Sequence, residues 1–346
     1  MNNVIVVLLV ALSFGLLIVG HEFGHFIVAK LNGVKVDEFA IGMGPLICKF
    51  KGKETMYSLR LLPIGGYVKM LGEYDETEDN ISDYDKSRAY IFKHPLRKIS
   101  IILAGPVMNF ILAFIIFLGI VSLNGYNSTI ISEVVDGSPA QKAGIMVGDE
   151  IIALNSKSFL NWNDFVFELQ TLENKNYLSV DVLRNGEKVT LGVEPELNGN
   201  SIVVGIVPKF IENVGFFEGI SNGFKRTIFE VKQVIGSLIQ LITGKASIAD
   251  LGGPVTIFKV SGQAAKQGFA QLMNFTAFLS VNLGVFNLIP FPALDGGAII
   301  VNSIELIFKK KIKQEILAKI NYVGFALLIL LMIFVTLKDI FFPLNL

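Results

Sequence analysis

The chain has a single cysteine, Cys48, in 346 residues, so no intrachain disulfide can form. Nothing beside Cys48 would activate a thiol, so the residue reads as a small apolar filler. Charge is also scarce. Charged residues make up 17% of the chain, against about 25% in soluble domains, while 52% are hydrophobic and the mean hydropathy is +0.57. That shortfall points to a membrane. The thirty basic and thirty acidic residues cancel, which removes the basic excess expected of a nucleic-acid binder. The first apolar run has no basic residues before it and no small-residue cleavage site after it, which argues against a cleaved signal peptide.

Histidine occurs three times, and two of the copies stand in His21-Glu22-Phe23-Gly24-His25. This is H-E-x-x-H, a helical zinc-binding pattern in which the Glu serves as base. Imidazoles four residues apart share one helix face, so His21 and His25 can share one ion. Glu22 lies about a quarter-turn away, where it can reach an attacking water without ligating the metal. The motif ends an uncharged run, residues 4–20. Ionisable groups at that depth are costly and suggest function by default.

Four stretches approach the roughly 20 apolar residues needed to span a bilayer. They are residues 1–30, which include the motif, then 99–123, 269–302 and 321–346 with its tail. Twelve Lys/Arg lie between Lys30 and Lys98, and five lysines lie in the short basic loop 303–320 or at its edge. The long segment 124–268 has twelve basic residues against fifteen acidic ones. Positive-inside bias then predicts loops 31–98 and 303–320 in the cytoplasm. The N-terminus, the middle segment and the C-terminus face outward, with His21 and His25 toward the cytoplasmic side.

Residues 34–71 alternate loosely and predict a small β region, with Pro63-Ile64-Gly65-Gly66 as a hairpin-like turn. Residues 72–90 are acidic and read as a solvated loop. His94, before Pro95, reads as an interfacial residue and not a ligand. Asn109, within the second span, could bond across helices or reach a site, and packing is the preferred reading.

Residues 126–208 have ordinary polarity. Ser138-Pro139-Ala140, Ala143-Gly144-Ile145 and Gly148-Asp149 precede a helix from Trp162 and a hairpin turning at Asn185-Gly186. That order resembles a bacterial PDZ domain, a module that captures extended peptides at a sheet edge, and one copy is present. Residues 209–268 contain helical apolar spacing from Phe217 to Ile242. This predicts an amphipathic helix lying on the membrane surface in preference to one packed under the PDZ unit.

The third span contains Asn287-Leu288-Ile289-Pro290-Phe291-Pro292-Ala293-Leu294-Asp295-Gly296-Gly297. Its prolines and glycines break the helix, which membrane depth tolerates only where the backbone is buried in protein or faces water. Asp295 has no charged neighbour in sequence and needs a partner elsewhere. A catalytic zinc needs three protein ligands, and Asp295 is the candidate third.

These three motifs, His21 to His25, Asn287 to Pro292 and Leu294 to Gly296, resemble the site-2 protease family of intramembrane zinc metalloproteases in a bacterial single-PDZ form. The resemblance covers nearly the whole chain. It implies a polytopic α-helical membrane protein with four transmembrane helices, a small membrane-associated β region and an inserted α+β PDZ domain. It implies that His21, His25 and Asp295 bind Zn2+, that Glu22 is general base and acid, that Gly42 and Gly44 belong to a substrate-contacting β region, and that Asn287, Pro290 and Pro292 shape the site. The implied substrate is a transmembrane protein in the bacterial cytoplasmic membrane, either a single-span regulator such as an anti-sigma factor or a signal-peptide remnant. The competing reading is a catalytically silent PDZ-containing membrane adaptor, which the intact His21, Glu22, His25 and Asp295 disfavour. A metal transporter should show internal repeats and several intramembrane acids along a path, and the sequence has neither.

Overall fold

The computed structural model describes residues 3–73, 82–172, 176–199, 201–245 and 252–343. Residues 74–81 of the expected acidic loop lie outside them. The chain divides into two compact units, Met1–Ala113 with Val231–Leu346, and Phe114–Glu230.

The first unit opens with α1 (Asn3–Leu31), β1 (Val36–Lys51), β2 (Met56–Met70), the short α2 (Asp83–Lys86) and the start of α3 (Pro95–Asn124). After the second unit, the end of α6 (Phe216–Ile242) returns to it. It closes with α7 (Pro254–Gln267), α8 (Phe269–Asn287), α9 (Asp295–Phe308) and α10 (Gln314–Phe341). Among the described residues, four helices are long and apolar enough to cross a membrane: Asn3–Leu31, Pro95–Asn124, Phe269–Asn287 and Glu315–Phe341. The chain is thus mostly helical, with four candidate spans and a β region.

Helix α1 stops where its glycine allows. Gly33 takes φ +67°, and the Val34 amide donates to the Ala29 carbonyl at 2.9 Å, the six-residue closure that a left-handed C′ residue permits. Helix α3 begins at Pro95, whose missing N–H would be unpaired there in any case. His94 Nδ1 accepts from the Leu96 amide at 3.3 Å, so His94 caps this helix.

Strands β1 and β2 pair antiparallel, and the structure corrects the expected hairpin turn. Pro63 to Gly66 lie inside β2; the actual turn closes at Gly52 and Thr55, where the Gly52 amide donates to the Thr55 carbonyl. The long strands kink, because Gly42, Gly44 and Gly65 all take φ near +80°, a region closed to most side chains. Residues 38–41 consequently find partners on both sides, residues 66–69 and residues 56–59. One end of this sheet packs on α1 and α3, burying Ala29, Val34, Val36, Phe39, Val68, Met70 and Ile101. The other end exposes Met43, Leu46, Ile47 and Phe50. Cys48 lies there and is exposed, which corrects its reading as a filler: among the described residues no second layer covers that half of the ribbon.

Within residues 209–268 the structure holds a second helix, α7, that apolar spacing did not announce, because Ser261, Gly262 and Gln263 dilute its stripe. It packs against α1, α8 and α10, with Ala265 buried among Val6, Val10 and Leu272. Asp339 of α10, buried to 1% exposure, accepts from the Thr256 amide at 2.9 Å and satisfies a donor at the start of α7.

The second unit carries a six-stranded sheet. Its elements are β3 (Tyr126–Val134), α4 (Pro139–Lys142), β4 (Glu150–Leu154), β5 (Lys157–Ser158), α5 (Trp162–Thr171), β6 (Leu178–Arg184), β7 (Glu187–Val193), β8 (Glu196–Asn198), β9 (Ser201–Val203) and β10 (Ile206–Ile211). The sheet order is β10-β3-β4-β6-β7, with β5 on β4, and β8 pairs with β9 separately. Asn185 and Gly186 take φ +54° and +85°, as a tight two-residue hairpin demands. Ile131, Ile151, Leu154, Phe165, Leu178, Val180 and Val182 form the core, each such side chain contributing about 1.5–3 kcal/mol on burial.

The start of α6 belongs to this unit. Gly219 and Gly223 lie against Ser122 and Leu118 of α3, a small-xxx-small contact that lets helices approach closely. Phe229 meets Phe167 of α5 at 6.4 Å. The helix therefore packs against protein along one face, and it exposes Phe216, Phe217 and Phe224 on another.

One ion pair locks this unit. Asp149, 1% exposed, accepts from Arg184 Nε and Nη2 at 2.8 Å each and from the Met146 amide at 2.8 Å. The Arg184 bonds hold the Asp149 carboxyl below its usual range. Its stabilising effect is therefore complete above the ordinary carboxylate pKa and disappears as pH falls through the lowered native value. Asp149→Asn leaves Arg184 without its counter-charge and should destabilise this unit by about 3 kcal/mol. The chain's only tryptophan, Trp162, packs on this core, so the unfolding midpoint read by its fluorescence should drop at pH 7. The difference from wild type should shrink on acidification.

Candidate metal centre

Helix α1 has no charge before His21, and its last three turns carry His21, Glu22 and His25 on adjoining faces. Asp295 arrives from the far end of the chain. The segment after α8 breaks at Leu288, turns through Pro290 and Pro292, and places Ala293 at φ +70°. Asp295 is the first residue of α9. Cβ atoms at Gly296 or Gly297 would overlap the carbonyls of Leu288, Ile289 and Phe291, so both glycines are needed for the reversal. Gly324 of α10 lies against Pro292 in the same manner.

The three ligand-type groups converge. His21 Nε2 lies 3.2 Å from His25 Nε2 and 3.3 Å from Asp295 Oδ2, and His25 Nε2 lies 3.6 Å from that oxygen. Ligands about 2.0–2.1 Å from a tetrahedral zinc are separated by roughly 3.4 Å. The triangle matches that spacing, and its two nitrogens and one oxygen are the donor types zinc takes in hydrolytic sites. Two further features fit an ion. Asp295 Oδ2 is buried with no hydrogen-bond partner. Gly105 of α3 keeps the space beside the imidazoles clear, since a Cβ there would overlap His25 and come within 2.8 Å of His21 Cε1. Among the described residues this is the one cluster of three or more such groups able to hold a metal.

The surroundings hold these side chains in place. His25 Nδ1 lies 2.9 Å from the Ile101 carbonyl, which orients the ring and leaves Nε2 its lone pair. The Asn109 amide lies 3.1 Å from His21 Nδ1, and Asn287 approaches the same ring at 3.4–3.5 Å. Asn109 is fully buried, and its own carbonyl accepts from Ser280 of α8 at 2.8 Å. Its side chain thus meets a candidate ligand while its backbone ties α3 to α8, more than the packing role the sequence suggested.

Glu22 faces β2. A Cβ on Gly66 would come within 3.0 Å of Glu22 Cγ and 2.8 Å of the Ala40 carbonyl, so the strand crosses α1 where it has no side chain. Of the residues singled out in the sequence, His21, His25, Asp295 and Asn287 come together. Pro290 and Pro292 build the connection that delivers Asp295, and Gly42 and Gly44 shape the kink of β1. Gly66 and Gly105 went unread as site residues, and for Asn109 packing was preferred over reaching a site. Gly105-Pro106 inside a helix, and an amide in an uncharged span, were the signals available for two of them.

Span-length helices around two imidazoles, a carboxylate and an adjacent glutamate define a class, the membrane-embedded metallohydrolases. The comparisons narrow it: residues 9–331 match Peptidase family M50, and the chain belongs to that family. A Clostridium acetobutylicum protein classed by name with the zinc metalloproteases is 44% identical, the alignment covering 98% of each chain. The zinc metalloprotease RasP of Bacillus licheniformis is 32% identical over 98% of this chain and 99% of its own. The regulator of sigma-W protease RasP of Bacillus subtilis is 31% identical over 98% of each. This chain is an integral membrane protein and an intramembrane zinc metalloprotease.

Gly105→Ala tests the fit of the metal. The added methyl should displace the imidazoles and reduce bound zinc, measured by elemental analysis of detergent-purified protein, to a small fraction of one ion per chain. Elution on size exclusion should stay unchanged.

Proposed function

We propose that His21 Nε2, His25 Nε2 and Asp295 Oδ2 hold the zinc and that Glu22 is the general base and acid for hydrolysis of a peptide bond within a substrate's transmembrane segment. The observation that carries this reading is the ligand triangle of 3.2, 3.3 and 3.6 Å, with Glu22 one residue from His21. Zinc, when bound, polarises the scissile carbonyl and acidifies water at neutral pH. The Glu22 carboxylate accepts the proton of the attacking water and returns it to the leaving amine nitrogen. Asn287, half-buried at the edge of the cluster, directs an amide N–H toward the oxyanion that develops on the carbonyl.

A helical substrate hides its peptide bonds, so the segment must unwind before cleavage. Strand β2 passes Glu22 at Gly66, and we assign it the task of holding the unwound segment extended by main-chain pairing. Gly42 and Gly44 let the ribbon bend there. The exposed apolar half of that ribbon suits contact with lipid or with an apolar substrate.

The substrate we infer is a single-span membrane protein, an anti-sigma regulator or a signal-peptide remnant, processed in regulated intramembrane proteolysis. The name of the Bacillus subtilis relative, a regulator of sigma-W protease, supports the regulator. Residues 126–208 act as a PDZ unit that screens the substrate outside the cytoplasm. The basic loops support a site toward the cytoplasmic side of a bacterial cytoplasmic membrane, with the N-terminus, the PDZ unit and the C-terminus extracytoplasmic.

The test is Glu22→Gln, which removes the base and none of the ligands. Cleavage of a co-expressed single-span substrate should fall by about 10²–10⁴-fold while zinc content stays at the wild-type value. Undiminished cleavage would defeat the mechanism. Asp295→Leu should lose both zinc and cleavage.

A further inference from the structure

We propose that Asn109 is a positioning residue for the metal centre: its side-chain oxygen accepts a hydrogen bond from His21 Nδ1–H and so fixes the tautomer in which His21 Nε2 is free to ligate. This rests on the assignment of His21 as a ligand given above.

The two imidazoles set the requirement. In the cluster both point Nε2 toward Asp295 Oδ2. A neutral imidazole that ligates through Nε2 carries its proton on Nδ1, and a buried N–H needs an acceptor. His25 has one in the Ile101 carbonyl, 2.9 Å from Nδ1. His21 Nδ1 has the Asn109 side chain at 3.1 Å, with Asn287 farther away at 3.5 Å.

In the structure the Asn109 contact is made by Nδ2, which sets one donor against another if His21 carries its proton on Nδ1. The same placement leaves Asn109 Oδ1 buried without a partner, although the residue is 0% exposed. The oxygen and nitrogen of an amide are assigned from their hydrogen bonds. Exchanging them gives Oδ1 a donor, gives His21 Nδ1–H an acceptor, and removes the donor–donor contact. One rotation thus turns a donor–donor contact into a hydrogen bond.

The backbone holds Asn109 to this task. It lies four residues after Gly105 on α3, one turn along the face that meets α1. Its carbonyl is fastened to Ser280 of α8 at 2.8 Å. Helix α3 therefore supplies an acceptor for each imidazole, a main-chain carbonyl for His25 and a side-chain carbonyl for His21.

The chain's three histidines, His21, His25 and His94, make a direct test practical. Full-length protein labelled with ¹⁵N-histidine, in detergent and stripped of metal, should show His21 protonated on Nδ1 in long-range ¹H–¹⁵N spectra, with His21→Gln identifying the signals. Asn109→Leu removes the acceptor. It should shift His21 toward the Nε2–H form and weaken zinc affinity about 10–100-fold, read by competition with a chromophoric chelator. Asn109→Asp keeps an acceptor and cannot donate when ionised, so it should retain the Nδ1–H form and zinc affinity within a few-fold of wild type.

An unchanged tautomer and affinity in Asn109→Leu would overturn the proposal. Equal loss of affinity in Asn109→Asp would also overturn it, because the amide N–H would then be the group required, and that arm stands even if the leucine variant does not fold. Failure of the underlying assignment has a separate signature: zinc bound to wild type would survive His21→Gln.

Discussion

Helices α1 and α3 meet backbone against backbone at Gly24, where a Cβ would overlap the Ala104 carbonyl and crowd Met108. The site depends on this approach. Gly24 stands between the two imidazoles in sequence, and it brings them against the α3 face that bears Gly105, the Ile101 carbonyl and Asn109. In lipid, close packing and hydrogen bonds replace the hydrophobic drive between helices. A glycine contact of this kind therefore sets the helix spacing, and the spacing decides whether second partners reach the histidines. Pro106 lies inside α3, where it removes a ladder hydrogen bond and pushes back the carbonyl four residues before it. Pro106 thus falls within the stretch of α3 that serves the imidazoles.

Asp295 is positioned by a different solution to the same problem. A continuous helix across residues 269–302 would carry every backbone hydrogen bond internally and would have no reason to present a carboxylate. Breaking it between Asn287 and Asp295 frees polar groups that membrane depth does not forgive unless protein covers them. The covering comes from Gly296 and Gly297, which fold the start of α9 onto the carbonyls just before it, and from Asn321, whose side chain accepts from the Ala293 amide at 3.3 Å. As the first residue of α9, Asp295 also places negative charge at the positive end of that helix.

Much of this was legible in the sequence. Charge-free runs announced the four spans, because a bilayer demands length and apolarity and little else. The Asn185-Gly186 turn was legible because only certain residues tolerate its dihedrals. His21, Glu22 and His25 could be read as a unit because an α-helix converts spacing into a shared face. Asp295 could be read because a lone acid in an apolar segment requires a cationic partner from elsewhere in the chain or from a metal. Other features depend on contacts distant in sequence and leave no local pattern. The strand passage at Pro63 to Gly66 looked like a turn because proline and glycines punctuate turns and kinked strands alike. Helix α7 has too few large apolar residues to show a stripe; it is held by α1, α8, α10 and the carboxylate of Asp339. Gly66 and Gly105 matter for the side chain they lack, and that shows only when the neighbouring helix or strand is in view.

The polar inventory of the centre ties metal to fold. His25 Nδ1 is matched with the Ile101 carbonyl, and Asp295 Oδ2 is buried with no hydrogen-bond partner. A carboxylate oxygen in that position has lost its water and has only the imidazole contacts of 3.3 and 3.6 Å in exchange, which leaves the metal-free fold incompletely compensated. An ion held there as proposed would remove that cost and join the first span to the segment after the break in the third. Binding that satisfies the native arrangement alone stabilises it by mass action. On the proposed ligand set the irregular backbone from Leu288 to Leu294 and the metal are mutually dependent: the break brings the carboxylate to the imidazoles, and a bound ion would make the broken segment the favoured one.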